Sequence, residues 1–187
     1  MKPCTGTAED AAKLTARGRA CAAFADGQPL IIGTIIADGW LTGLSVAEVC
    51  SWLCLFLQER RLANEAAISE MPEPSSALAE VFDETFVLAE MLEVTLDKTL
   101  SLMMLDWCTH KSLTRIAEWV DPHMLGVFVK AVLRVISYVD VVREVLLGLN
   151  EYEVFNKLEH HTDLLIHGLV TNESLYLRLA DDDGKGR

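Results

Sequence analysis

The chain has 187 residues, room for one domain or at most a large and a small one, with length enough to bury a sizeable core. Hydrophobic residues make up 51% of it, yet no apolar run reaches membrane-spanning length, so a core-rich helical protein is expected and a membrane partner is not. Lys and Arg number 16 against 28 Asp and Glu, and a net charge of −12 disfavours loose adsorption to polyanions, so any nucleic-acid contact has to be local.

Residues 1–16 mix small and polar types without a lasting period and read as a disordered N-terminal arm ending near Thr15. Gly18 and then Asp26-Gly27-Gln28-Pro29 supply turn residues. The apolar run Leu30 to Ile36 that follows fits either a strand or a short buried helix, and Asp38-Gly39 breaks it. Ser45-Val46-Ala47-Glu48 has the spacing of a capping box, Ser at N-cap and Glu at N3, and predicts a helix running to about Arg61.

The Pro- and Ser-dense segment 71–76 is a loop, and a periodic stretch from about Ser76 to Glu93 predicts the next helix. From Glu65 to Asp106 there are ten acids and one base, Lys98, which reads as a solvated face. A further helix is expected from about Leu96 to Trp107, ending at Thr109-His110-Lys111, and a short one from Ser112 to Trp119. Asp121-Pro122 then opens a long helix over Met124 to Leu147. Leu125, Phe128, Val132, Val135, Val139, Val142 and Leu146 recur there at three- and four-residue steps, an inward stripe, and Gly148 suits the residue just past the helix end. A last helix is expected from Glu151 to His167, and 178–187 reads as an acidic flexible tail.

Five cysteines, Cys4, Cys21, Cys50, Cys54 and Cys108, are an odd number without C-x-x-C spacing, and charges at Lys2, Glu9, Asp10 and Lys13 interrupt any signal-like run. A reduced intracellular chain, nuclear or cytoplasmic, is expected, with Cys50 and Cys54 packed as small hydrophobes. No P-loop, dinucleotide-binding glycine pattern or nucleophile elbow appears, so the chain by itself is expected to hold no nucleotide and no other cofactor. Cys108 and His110 are sequence neighbours, which does not make a nucleophile and base. His160, Asp163 and His167 share one helix face and form the sharpest metal candidate, although such a site needs a ligand from elsewhere and exposed groups of this kind are commonly just solvated.

Several stretches, in order, resemble the C-terminal helical domain (DSHCT) of superkiller-type, exosome-associated DExH RNA helicases. Gly18-Arg19-Ala20-Cys21 resembles the family's opening, Gly39 to Glu48 its "G-x-F-x-x-L-S-x-E-E" helix start, and Val49 to Phe56 the run that follows. Trp107 matches the Trp of a later segment whose Gly is absent here, and Ser174-Leu175-Tyr176-Leu177 is identical to the family's closing residues. The resemblance spans about residues 15–177, nearly all of the chain, and places the domain at 17–177.

What the resemblance implies is an all-α multi-helix bundle that packs on two RecA-like motor domains and lines a channel for single-stranded RNA. ATP and Mg²⁺ would be bound by that RecA-like core, in cis or in trans, and exosome-associated proteins are the wider partners. A long central ratchet-type helix in the family presents an Arg and, three residues on, a Glu to RNA bases. Here Gly126 matches the motif's Gly, Lys130 and Arg134 its basic positions, and Ser137 stands where the Glu belongs. The candidate nucleic-acid contacts are therefore Lys130, Arg134 and Ser137, with no catalytic residue. From Cys108 to Arg143 five bases (Lys111, Arg115, Lys130, Arg134, Arg143) face three acids, the one long stretch after the Pro-rich loop where the balance turns positive. The rival reading is a free-standing acidic interaction module that keeps the fold and has lost RNA binding.

Overall fold

The computed structural model describes residues 14–57, 71–120, 122–166 and 169, and among them every regular element is helical. In chain order these are α1 (Ala16–Ala22), α2 (Pro29–Ala37), α3 (Val46–Leu53), α4 (Ser76–Met91), α5 (Thr99–His110), α6 (Leu113–Trp119), α7 (Leu125–Leu149), α8 (Tyr152–Lys157) and α9 (His161–Ile166). The protein is all-α over these residues, as its sequence implies. The arm up to residue 13, the acidic tail, the closing Ser-Leu-Tyr-Leu and His167 lie outside the described residues.

The helix starts at Ser45, Ser75 and Ser112 follow the sequence closely, because caps are local chemistry; α1 does not, since Gly18, a turn residue in the sequence reading, lies inside it. Thr15, Ser45, Ser75 and Ser112 each accept a backbone N–H from three residues on, heading α1, α3, α4 and α6. The Ser45 box is complete: Ser45 Oγ accepts from Glu48 N–H at 3.3 Å, and Glu48 Oε2 accepts from Ser45 N–H at 2.8 Å. The Glu48 carboxylate also accepts a hydrogen bond from the Ser75 hydroxyl, joining the starts of α3 and α4.

The run 30–36 is the helix α2. Its β-branched residues favour a strand in isolation, but Pro29 at the first helical position and burial of Ile31, Ile32, Ile35 and Ile36 at helical spacing decide otherwise. Gly33 lets the backbone of α1 cross closely, since a Cβ there would sit 2.4 Å from Cys21 N.

Helix ends depart further from the sequence reading. The helix expected to reach Arg61 ends at Leu53, tightens into one 3₁₀ turn over Cys54–Phe56, and turns extended at Leu57. It passes through the core there, with Trp52, Leu53, Cys54, Leu55 and Phe56 all buried. Gly148 is not the residue past the end of α7. The helix continues to Leu149, and Asn150 takes the left-handed conformation (φ 64°), with Asn150 N–H bonded to Leu147 O and Glu151 N–H to Leu146 O. Glu93 (φ 56°) closes α4 by the same pattern. The single last helix of the sequence reading is two, α8 and α9, separated at 158–160.

Burial of an apolar side drives α7 to the middle, where it packs against α1, α2, α3, α8 and α9. Phe128, Ala131, Val132, Val135, Val139 and Val142 have no exposed surface, so the stripe read from the sequence is the buried side. α3 and α5 meet through Ser51 and Ser101, whose hydroxyls each donate to the other's carbonyl (2.7 and 2.6 Å). Small residues that satisfy themselves let the two backbones come close without stranding a polar group. Trp107, one of the residues that carry the family resemblance, is fully buried on α5 and donates its indole N–H to Leu165 O at 2.9 Å. Lys111 Nζ donates to Leu164 O beside it, so the end of α5 holds α9.

Candidate nucleic-acid interface

At 3.6 residues per turn Lys130, Arg134 and Ser137 fall within about 60° of arc on α7, and all three are exposed. They lie away from the Phe128, Val132, Val135 and Val139 stripe, as the spacing of the sequence implies. Lys130 has no partner among the described residues. Arg134 does: its Nη2 donates to Asp26 Oδ2 at 3.2 Å, across 108 positions of chain.

Asp26 stands in the loop between α1 and α2, and its other oxygen accepts a hydrogen bond of 2.7 Å from the Tyr138 hydroxyl. Tyr138, one turn beyond Arg134, is largely buried and packs edge-on against Phe24, ring centroids 6.5 Å apart. Burial, then the bond to Asp26 and its charge, push the Tyr138 phenol up to about 12, against the opposing charge of Arg134, so it stays a proton donor at neutral pH. The loop is laid directly on this hydroxyl. Gly27 has φ +73°, and a Cβ there would come within 2.4 Å of Tyr138 Oη, so only glycine fits. Together these residues border an open groove of roughly 360 Å³ in which Phe24, Asp26, Arg134, Ser137 and Tyr138 face one another.

The other bases of the positive stretch are engaged in the fold. Arg115 donates to both oxygens of the buried Asp106 (3.1 and 2.8 Å) and lies over the Trp119 ring. Arg143 lies over the Phe155 ring at 4.6 Å, and Lys111 holds α9. Of the five bases, Lys130 has no partner among the described residues, and Arg134 is exposed but paired with Asp26. The acidic run is likewise divided: Glu80, Asp83, Glu90, Glu93 and Asp97 are solvated as expected, but Asp106 is buried and forms the hub for Arg115 and His110.

The remaining candidates do not assemble. His160 and Asp163 are 83% and 85% exposed and 3.9 Å apart, and among the described residues no three metal-binding side chains converge. The inward imidazole is the neighbouring His161, which bonds Leu158 O at 2.8 Å and lies 3.3 Å from Asp140. His110 Nδ1 turns to Asp106 at 3.0 Å, not to Cys108. Cys50 and Cys54 are buried, as expected. The hydrogen bond to Cys108 and burial raise Cys50 well above the ordinary thiol range, and burial does the same for Cys54, so both are inert packing groups.

Comparison with protein families gives a match to the DSHCT (NUC185) domain over residues 11–172. The chain belongs to the DSHCT family. No curated protein matches it. As a DSHCT domain it is a helicase-associated C-terminal domain, and the family match takes in all of α1 to α9. No described helix of this DSHCT domain is long and apolar enough to cross a membrane. Asp26 and Tyr138 were missed by sequence reasoning. Asp26-Gly27-Gln28-Pro29 is legible as a turn, but nothing local ties that turn to an arginine on a helix that begins almost a hundred residues later.

Proposed function

We propose that this DSHCT domain serves a superkiller-type RNA helicase as the element that contacts single-stranded RNA while packed on the RecA-like core. That core, in cis or in trans, binds ATP and Mg²⁺ and does the chemistry; the domain contributes shape and two cations in RNA unwinding or exosome-linked decay. The observation that carries this reading is the family match together with Lys130, Arg134 and Ser137 on one exposed arc of α7. Exposed cations four residues apart on a helix meet phosphates or stack on bases, whereas a domain of net charge −12 has little general affinity for a polyanion. Contact is therefore local and salt-sensitive.

Titration of a labelled oligouridine with the intact chain tests it. Arg134→Ala is expected to weaken binding and to flatten the slope of log K against log salt by about 0.7, the share of one phosphate contact on a single strand. An affinity and slope unchanged by the substitution would refute the reading. Two observations favour a second reading, an acidic protein-interaction module: Arg134 is already paired with Asp26, and Ser137 offers no carboxylate. That reading requires a stoichiometric protein partner whose binding survives ribonuclease.

A further inference from the structure

We propose that Asp26 is a built-in competitor for the Arg134 guanidinium, so that an RNA strand that takes up Arg134 has to displace this carboxylate. The inference rests on the reading of Arg134 as an RNA contact and concerns how that contact is controlled.

Asp26 is held whether or not Arg134 is present. Its Oδ1 accepts from the Tyr138 hydroxyl at 2.7 Å, and the adjoining Gly27 lies on the same hydroxyl with a backbone angle of φ +73° that fixes the turn. Phe24 supports the Tyr138 ring from the side, and Pro29 starts α2 three residues on. The carboxylate is thus a preorganised anion facing the groove. Arg134 is the adjustable half of the pair: a long side chain, 45% exposed, joined to Asp26 through Nη2 at 3.2 Å.

An ion pair whose two side chains are 45% and 61% exposed is weak enough to exchange with a phosphate, which the planar guanidinium fork fits well. Lys130, one turn earlier on the same arc, meets no carboxylate among the described residues. The two cations are therefore unequal: Lys130 is open to a strand from the start, and Arg134 is released by its arrival.

The test is a binding cycle on the intact chain with a 5′-labelled oligouridine of about 15 nucleotides, a length on the order of one single-strand site. Asp26→Asn is expected to tighten binding roughly two- to fivefold at low salt, the range set by loss of one exposed ion pair. Asp83→Asn, which makes the same change in net charge on the solvated face of α4, is expected to leave affinity unchanged. In an Arg134→Ala background Asp26→Asn is expected to add nothing, because the competition has lost its object. Thermal unfolding of each variant confirms that the fold is retained. Binding by Asp26→Asn equal to that of the unaltered chain or of Asp83→Asn, or a gain that persists without Arg134, overturns the competitor. If Arg134→Ala weakens binding while Asp26→Asn does nothing, the competitor alone falls. If oligouridine binds neither the unaltered chain nor Asp26→Asn, the RNA reading falls with it.

Discussion

Replacing Gly148 by alanine separates two accounts of how α7 ends, because they demand opposite signs. Were Gly148 the residue past the helix end, it would hold a left-handed conformation, and a Cβ would cost about 1–2 kcal/mol. In the structure it lies inside the helix, one residue before Leu149, and a Cβ built on it meets nothing within 4 Å. Only the backbone and helix-propensity difference is left, and alanine is expected to stabilise the chain by about 0.5–1 kcal/mol. Urea unfolding at equilibrium reads this as a higher midpoint at unchanged slope, and heating as a Tm raised by roughly 1–4 °C for a chain of this size. The companion change Asn150→Ala is expected to lose about 1 kcal/mol, since Asn150 holds the left-handed φ of 64°. A lower midpoint for Gly148→Ala, or an Asn150→Ala variant as stable as the starting chain, would refute the assignment of the helix end.

The same substitution at Gly33 is expected to destabilise by about 2 kcal/mol, an overpacking cost near 3 less about 1 gained in helix propensity, because the new Cβ would lie 2.4 Å from backbone that cannot swing aside; urea unfolding checks it. Thr85→Val is expected to cost about 1–3 kcal/mol, since Trp52 Nε1 donates to Thr85 Oγ1 at 3.0 Å in a fully buried contact and valine leaves that N–H unsatisfied. Glu48 feels partial burial, which raises its carboxyl, but hydrogen bonds from Ser75 and from Ser45 and the charge of Lys157 outweigh it, so the folded value lies below the ordinary glutamate range. A depressed carboxylate contributes stability above its unfolded value that is lost as pH falls through the folded one. Glu48→Gln is therefore expected to destabilise most near neutrality and to converge with the starting chain in acid, which urea midpoints across pH 3–7 measure on the order of the usual carboxylate range.

Local chemistry determined a great deal. Hydroxyl caps at Ser45, Ser75 and Ser112 satisfy backbone N–H groups three residues away, so they are legible in any context. The apolar stripe of α7 is fixed by its period alone, and with it the exposed arc of Lys130, Arg134 and Ser137. Ordered resemblances along the chain pointed to the DSHCT family that the match over residues 11–172 establishes.

Tertiary structure decided what depends on partners far along the chain. Leu30 to Ile36 became a helix because α1 and the core bury one side of it, overriding the β preference of its isoleucines. Asp106, one of ten acids in an acidic run, is buried because α5 packs into the core, and its near neighbours His110 and Arg115 then pair with it. Asp26 is a turn residue by sequence and the partner of Arg134 and Tyr138 by fold. Caps and periodicity are read within four residues or so, whereas an ion pair spanning 108 positions exists only once the core has brought its two ends together.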